Sequence, residues 1–599
     1  MGRPEPLRIL LSMRNFWYVR IFESVVRTLA ARGHQIHLLI GHDPDPTGQW
    51  TPSADALVAA SHNITMAFTR RSIDDHWLDL RLMLRLGSDY VRFVQPEYLK
   101  APILRDRARD RVPPLIRNLA DYEGPGHAVL RLLLKKGLRI AERAVPPAPD
   151  LHAAVLTQRP DVTLVTPLID LGSYQHDVVR ISRSRGIPTG VCIGSWDHLS
   201  SKALIREQPD EVFVWNDTQK HEAVTMHGVR PERITITGAQ CFDQWFDRRP
   251  TLAYGEFARK VGLDPSRPFL LYVCSALFEG SPNEAHFVMK WIVALRGSGH
   301  ERLRTAGILI RPHPKRSFEW DGIDLSQHEN VALWPQRGTA PSDASSKADY
   351  FDSLFHSAGV IGINTSALIE AGIAGRAVHT LLMPEFQTCQ EGTLHFHYLL
   401  DAGLLRAARD LPEHAAQLAV TLTSADPSQH SNRAFVEAFV RPNGLDVKAT
   451  DTFVQAVERL ASTSPQPLRD PLWAPAVRAV LWPVAKHTSG TFVESVGRQR
   501  RYREKAVESA ARNAALHTQR AIEKARVLDG RRVRAEAEMR ERAERVARHH
   551  QEKLLRKAER QREKAQRLAQ RRREKQRHAF KATLAKYYRR LIHSSSGSS

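Results

Sequence analysis

A unit of strand, helix and strand recurs along this chain, and it constrains the fold more than any other feature of the sequence. Residues 7–13 form a short apolar run that ends in a polar loop, and apolar positions at helical spacing follow from Tyr18 to Ala31. Gly33 stops that helix, and residues 36–40 form the next apolar run. Strands connected through a helix in this way pair in parallel with a right-handed crossover. The beginning of the chain therefore predicts an α/β domain.

The same alternation divides the rest of the chain body into two halves. The first half has predicted helices at 174–184 and 217–227 and predicted strands at 162–165, 189–193, 211–215 and 234–237. A proline-bearing linker at 242–267 precedes the second half, whose predicted strands are 269–273, 307–310, 331–333 and 360–363 and whose closing helices are 435–440 and 452–460. The pattern leaves the topology of 41–150 open. We expect two doubly wound domains that face a cleft, because parallel sheets bind ligands beyond the carboxyl ends of their strands.

The net charge of the chain is concentrated at its C-terminal end. The whole chain has 87 Lys and Arg against 65 Asp and Glu, and residues 491–599 hold 32 against 13, so residues 1–490 are close to neutral. The scarcity of Gly and Pro in this end predicts a long basic helix. Its apolar positions keep no strict heptad, so the pattern is compatible both with a single charged helix and with a helix that forms a weak dimer. The predicted boundaries are 1–245 and 246–465 for the two domains, 466–490 for a linker with an amphipathic segment, 491–592 for the helix and 593–599 for a disordered tail.

The cysteine content and the apolar runs indicate a cytoplasmic protein. The four cysteines lie far apart and form no C-x-x-C pair, which favours a reducing compartment over a disulfide framework or a zinc site. The N-terminal apolar stretch is too short for a signal peptide. No apolar run approaches the roughly 20 residues that span a bilayer.

A basic segment with two prolines follows the strand that ends at Ile310. It reads Arg311-Pro312-His313-Pro314-Lys315-Arg316, and the prolines hold the backbone extended and fix where His313 points. Three cations and an imidazole suit a pyrophosphate, and His313 could protonate or hydrogen-bond a leaving phosphate. The alternative is a basic surface loop.

A second motif, at 362–370, combines a strand end, a cluster of helix-capping residues and a helix start. Asn364, Thr365 and Ser366 offer hydroxyls and backbone N–H groups to a phosphate. Glu370, one turn into the helix, is placed to accept hydrogen bonds from ribose hydroxyls. The alternative is an ordinary capped helix.

A third motif, at 194–202, follows a strand of the first half. Asp197 or His198 there could face the phosphate site and remove a proton from an acceptor hydroxyl. A capped turn with a buried Trp196 is the competing interpretation.

The sequence predicts no metal site. His395 and His397 are two residues apart and so do not share a helical face. The segment Asp43-Pro44-Asp45 matches the D-x-D of metal-dependent transferases, but its proline favours a simple turn. We expect no cofactor, with the nucleotide-activated donor as substrate.

The order of these motifs over residues 7–465 resembles bacterial GT-B transferases of surface-polymer synthesis, such as CDP-glycerol glycerophosphotransferases and capsule glycosyltransferases. The matching segments are Ser195–Lys202, Gly238–Asp243, Arg311–Pro314 and Asn364–Ala371.

The resemblance implies a GT-B pair of Rossmann-type domains, the first for the acceptor and the second for the donor. It implies a nucleotide-sugar donor, a polymer or lipid-linked acceptor, and donor-phosphate contacts from Arg311, His313, Thr365 and Ser366. The CDP-glycerol enzymes have Thr-Trp-His-Gly, with the histidine as base, where this chain has Asp197. That difference favours sugar transfer over glycerophosphate transfer. A nucleotide-sugar epimerase and a catalytically inactive scaffold remain as alternatives.

The end of the tail has the pattern of a helix that lies on a membrane surface. Phe580, Leu584, Tyr587 and Leu591 share one side of a cationic helix, and Trp473, Val477, Leu481 and Val484 form a second patch. We expect peripheral attachment to an anionic membrane surface. RNA or DNA is the less favoured partner, and a solvated charged helix is the remaining alternative.

Overall fold

The structure, a computed structural model, describes residues 5–41, 51–69, 74–278, 280–336, 338, 341–423, 429–495, 570 and 572–584. The chain divides into two compact units, Met1–Ala515 and Leu516–Ser599. The first unit contains both predicted domains and is described first.

A parallel sheet of seven strands forms the centre of the first domain. Its order is β3-β2-β1-β4-β5-β6-β7. The central strands are buried on both faces, which explains their nearly continuous apolar runs. The strands are β1 Arg8–Met13, β2 Gln35–Ile40, β3 Ile64–Phe68, β4 Val162–Thr166, β5 Thr189–Cys192, β6 Glu211–Val214 and β7 Ile234–Ile236.

Eleven of the described helices accompany this sheet, and the open region 41–150 contains five of them. They are α1 Trp17–Ala31, α2 Thr51–Ala59, α3 Leu78–Phe93, α4 Pro102–Arg109, α5 Pro114–Ala120, α6 His127–Ala144, α7 Pro149–Gln158, α8 Gln175–Ser184, α9 His198–Ser201, α10 Asp217–His227 and α11 Asp243–Asp247.

The second domain is built on a parallel sheet of six strands in the order β10-β9-β8-β11-β12-β13. Its strands are β8 Phe269–Val273, β9 Gly307–Arg311, β10 Val331–Leu333, β11 Gly359–Ile361, β12 Ala377–Leu381 and β13 Leu405–Ala408. Its helices are α12 Tyr254–Val261, α13 Glu284–Arg296, α14 Glu301–Thr305, α15 Ala344–His356, α16 Ala367–Ile373, α17 Phe396–Asp401, α18 Leu411–Thr421 and α19 Gln429–Phe435.

Both sheets change direction next to their first strand, where β1 pairs with β4 and β8 pairs with β11. A crevice opens at such a switch point, beyond the carboxyl ends of the strands. The predicted fold class, an α/β pair of doubly wound domains of GT-B type, is confirmed. The strands β3, β12 and β13 were not predicted from the sequence.

Helix α20 (Ala449–Ala461) belongs to the first domain, whereas the sequence assigned it to the second. Phe453 and Val457 pack in one cluster with Phe22 and Phe213 of the first sheet and its helices. Glu458 pairs with Arg32 at 2.9 Å. The amphipathic pattern showed that one face is buried, but no local signal shows which sheet buries it. The boundary at residue 465 is therefore wrong for this helix.

The predicted linker 466–490 contains helix α21 (Ala474–Thr488), which packs on α3 and α6 of the first domain. Leu481 lies against that helical cluster. Trp473 and Val484 are exposed, so the predicted patch of four side chains is divided between the buried and outer faces of the helix. Phe492 and Val493 then donate backbone N–H groups to Asp79.

Most of the predicted basic helix lies outside the described residues. Residues 572–584 form a helix with exposed side chains, including Phe580 and Leu584. Tyr587, Leu591 and the predicted tail 593–599 lie outside the described residues, as does the Asp43-Pro44-Asp45 turn. Among the helices in the described ranges, none combines the length and apolar character that crossing a bilayer requires.

Candidate functional site

A cavity of about 780 Å³ lies between the two domains, beyond the carboxyl ends of their central strands. Segments that follow β1, β5, β8, β9 and β11 line it. The structure brings together all nine residues that the sequence proposed for the site: Asp197, His198, Arg311, His313, Lys315, Asn364, Thr365, Ser366 and Glu370. Their roles remain predictions, which the geometry makes more specific.

Arg311, the last residue of β9, presents a buried guanidinium to the cavity. The side chain lies over the ring of Tyr350 at 5.1 Å from its centroid. Its Nη1 has no hydrogen-bond partner among the described residues. Burial lowers the pKa of Arg311 to about 10, so the group keeps its charge at neutral pH. A buried cation with an unused donor is an unsatisfied site for an anion.

His313 is held so that it can donate a hydrogen bond. Its Nδ1 accepts the backbone N–H of Lys315 at 3.2 Å, which places the ring proton on Nε2. Burial and, to a smaller extent, the nearby cations Lys315 and Arg316 lower the pKa of His313 to about 4. The ring is therefore neutral at pH 7. A bound diphosphate would raise this pKa, because a nearby negative charge favours the imidazolium.

The segment 364–366 divides its side chains between structure and cavity. Asn364 uses its amide within the protein: Nδ2 donates to the carbonyl of Cys389 at 2.5 Å. Ser366 is the residue before α16, and its hydroxyl makes no capping bond to that helix. Ser366 is also exposed to the cavity. The structure thus favours Ser366 over Asn364 as a ligand contact in this segment.

Glu370 lies one turn into α16 and lines the cavity. The hydroxyl of Tyr350 donates to its Oε2. Burial raises the pKa of Glu370, whereas that hydrogen bond and the positive charge of Arg20 lower it. Arg20 comes from α1, so charges from both domains meet here.

Asp197 faces this group from the first domain and is fixed by two hydroxyls. Ser195 donates to Oδ1 at 2.5 Å and Ser201 donates to Oδ2 at 3.0 Å. Burial by itself would raise the pKa of Asp197, but the charge of Lys202, the two neighbouring histidines and the hydrogen bond from Ser195 together outweigh it and hold the pKa well below its usual range. Asp197 is therefore ionised at neutral pH.

His198 differs from Asp197 in the chemistry it can perform. Its Nδ1 accepts the backbone N–H of Gly194 at 3.4 Å, so the ring proton lies on Nε2. Burial lowers the pKa of His198 to about 4. A neutral ring in this tautomer can donate from Nε2 but cannot accept a proton there. Of the two predicted candidates, the geometry favours Asp197 as the proton acceptor.

His395 is a cleft residue whose position the sequence did not predict. Its Nε2 lies 3.4 Å from Asn364 Nδ2. Its ring lies edge-on to the ring of Trp196, with 4.7 Å between the ring centroids. Burial lowers the pKa of His395 to about 4. The sequence considered this histidine only as half of a metal pair. Its neighbourhood depends on the contact between the two domains, which no local pattern contains.

Cations from several elements add to the predicted ones. Five of the residues that line the cavity are cations, Arg20, Lys202, Arg311, Lys315 and Lys347, and three are carboxylates, Asp170, Asp197 and Glu370. The excess of positive charge suits an anionic ligand. The aromatic residues Phe16, Trp17 and Tyr18 also line the cavity, and their place directly after β1 was the one signal in the sequence that could have located them.

Among the residues that the structure describes, no group of three or more His, Cys, Asp or Glu side chains is arranged to hold a metal ion. His397 is directed elsewhere, with its Nε2 at 3.0 Å from the carbonyl of Glu391.

No protein-family model and no curated protein matches the chain. Among solved structures, the chain is similar to UDP-GlcNAc 2-epimerase from Methanocaldococcus jannaschii, at 12% identity and a TM-score of 0.43, over 75% of this chain and 99% of that chain. It is similar to MurG from Acinetobacter baumannii, at 12% identity and a TM-score of 0.37, over 76% and 100%. The chain is also similar to a glycosyltransferase from Rickettsia africae, at 8% identity and a TM-score of 0.42, over 76% of this chain and 100% of that chain. The fold class given above rests on the strand order of this chain itself.

Proposed function

We propose that the chain is a glycosyltransferase of GT-B type, which transfers a sugar from a nucleoside diphosphate donor to a surface-polysaccharide or lipid-linked acceptor. The observation that carries the proposal is the buried guanidinium of Arg311, which is charged and has an unused Nη1 donor among the described residues. A diphosphate supplies both the negative charge and the acceptor oxygens that this group lacks.

The second domain would hold the donor. Arg311 binds the diphosphate, and the His313 Nε2–H donates to the phosphate oxygen that leaves with the nucleotide. The hydroxyls of Thr365 and Ser366, which line the same cavity, add neutral donors. Glu370, oriented by Tyr350, accepts hydrogen bonds from the ribose hydroxyls. Because His313 starts neutral, it stabilises the leaving diphosphate most strongly as negative charge develops and raises its pKa.

The first domain would hold the acceptor and receive its proton. An acceptor hydroxyl beside Asp197 attacks the anomeric carbon as the bond to the diphosphate breaks, and its proton passes to the carboxylate. Ser195 and Ser201 fix the carboxylate, which keeps its orientation during the reaction. The depressed pKa makes Asp197 a weak base in the free protein. Proton transfer is therefore expected late, when the attacking oxygen has become acidic.

A nucleotide panel tests the proposal. The full chain is titrated with nucleoside diphosphates of the common bases, and then with the corresponding nucleotide sugars. Saturable binding that is weakened by about ten- to hundredfold in Arg311→Gln supports the donor site. Conversion of a nucleotide sugar into an isomer without any acceptor would instead identify an epimerase. Absence of binding to every member of the panel would refute the donor site and favour a scaffold.

A further inference from the structure

Helix α6 has apolar side chains on both of its faces. On the inner face, Leu134 and Leu138 pack into the helical cluster below α6. On the outer face, Val129 is 61% exposed, Leu133 60% and Ile140 47%. These three are spaced at i, i+4 and i+11, so they form one stripe along the helix. A continuous exposed apolar stripe indicates an interaction surface, whereas scattered apolar residues do not.

Cations border this stripe on one side. Lys136, Arg139 and Arg143 follow at helical spacing along its edge, and α6 contains five cations against one acid, Glu142. Glu142 is neutralised within the domain, because it pairs with Arg206 at 3.0 Å and with Arg85 at 3.4 Å. The exposed side of α6 is therefore both apolar and strongly positive.

Helix α21, which packs on α6, extends these properties. It exposes Val480 (75%) and Val484 and contains two cations, Lys486 and Arg478, of which Arg478 pairs with Asp470 at 3.3 Å. Two neighbouring helices thus expose apolar side chains among cations.

A small pocket of about 120 Å³ adjoins the cationic edge of α6. Arg139 and Arg143 of α6 line it together with Arg183 and Arg206. Nη2 of Arg206 is buried there and has no hydrogen-bond partner among the described residues. Two carboxylates also line the pocket: Glu142 is paired, and burial raises the pKa of Glu207. Arg183 and Arg206 are paired with Asp210 and Asp89, so Arg139 and Arg143 are the pocket cations that remain for a phosphate group.

We propose that α6 and α21 form a docking surface for a bilayer that contains anionic lipids. The stripe of Val129, Leu133 and Ile140 enters the boundary between headgroups and acyl chains, the bordering cations contact anionic headgroups, and the arginine pocket accepts one lipid phosphate. A second copy of the chain fits less well, because two such positive faces repel each other. Nucleic acid supplies phosphates but no partner for the apolar stripe. The proposal uses no residue of the tail and does not depend on the chemistry of the cleft.

A label on the stripe tests this surface in the full chain, independently of any tethering by the tail. Leu133→Cys is labelled with an environment-sensitive dye, and Val293→Cys on α13, which is 59% exposed, is the matched control. The native cysteines are buried or partly buried and give the background. With vesicles of equal parts phosphatidylglycerol and phosphatidylcholine, the dye at 133 is expected to shift to shorter wavelength and to be quenched by brominated acyl chains, while the dye at 293 stays in water.

Charge variants measured with the same dye test the electrostatic part. Arg139→Ala with Arg143→Ala should raise the half-saturating lipid concentration by about fivefold for each cation removed. Arg259→Ala with Lys290→Ala on the second domain should change it by less than about twofold. Equal responses at 133 and 293, or no response at either, would overturn the proposal. So would a shift caused by raising the protein concentration without vesicles, which would indicate a second copy, or by inorganic phosphate alone.

Discussion

Replacement of Arg311 by Gln should weaken nucleotide binding without destabilising the free protein. The substitution removes a buried charge that makes no ion pair with a carboxylate among the described residues and whose Nη1 makes no hydrogen bond there. An ordinary buried arginine behaves in the opposite way. Arg441 pairs with Asp243 at 2.7 Å, and removal of one partner of such a pair costs about 3–5 kcal/mol of stability. Arg441→Gln is therefore the matched control.

The size of the binding effect follows from the contact that is lost. A charge-assisted hydrogen bond contributes about 1.5–3 kcal/mol, which is roughly ten- to hundredfold in Kd. At a nucleotide concentration of about 100 times the wild-type Kd, the ligand stabilises the wild type by about 2.7 kcal/mol. If the Kd of Arg311→Gln is weaker by about a hundredfold, the same concentration stabilises the variant by only about 0.4 kcal/mol.

Chemical unfolding with and without nucleoside diphosphate measures both quantities. Arg311→Gln should match or exceed the wild type without ligand and lose most of the ligand-induced gain. Arg441→Gln should be less stable than the wild type with and without ligand. Under conditions in which it still folds, it should keep the ligand-induced gain in stability. A marked loss of stability in ligand-free Arg311→Gln would show that the arginine is structural, and an unchanged ligand-induced gain would place the anion elsewhere.

Three further substitutions test separate parts of the site and its support. Asp197→Asn keeps one acceptor oxygen for the two serine hydroxyls that bind the carboxylate, and should lower kcat by about 10²–10⁴-fold with nucleotide Kd nearly unchanged; steady-state kinetics showing full turnover would exclude Asp197 as the proton acceptor. Ser366→Ala should weaken nucleotide binding by about tenfold in calorimetry, and an unchanged Kd would remove this hydroxyl from the site. Glu284 has a pKa raised to about 8, first by burial and then by the charge of Glu319, so the folded state holds more protons than the unfolded state between about pH 4.5 and 8 and loses stability as pH rises through that window. Glu284→Gln should remove this dependence, and parallel stability curves for variant and wild type from pH 5 to 8 would contradict the pKa shift.

The alternation of apolar runs and helical patterns was enough to predict both domains. Buried parallel strands need nearly continuous apolar sequence, and each predicted strand from 162–165 to 360–363 has a counterpart in the sheets. The strands β12 and β13 were missed because polar and charged residues interrupt their short runs, as His379 and Arg406 do. Helix α20 was assigned to the wrong domain, since amphipathicity does not identify the partner of a buried face.

The sequence by itself determined which segments end at the cleft, because the residues that follow parallel strands must collect at one edge of a sheet. The motifs around Asp197, His313 and Ser366 could be located in that way. Only the tertiary structure decided the chemical state of those groups and which other residues line the cavity. The burial of the unused Arg311 donor and the position of His395 beside Asn364 and Trp196 arise from contacts between residues far apart in the chain, whereas the histidine tautomers follow from local hydrogen bonds. Burial sets the protonation of Arg311 and of the histidines, and it depends on how the chain packs in three dimensions rather than on any local pattern.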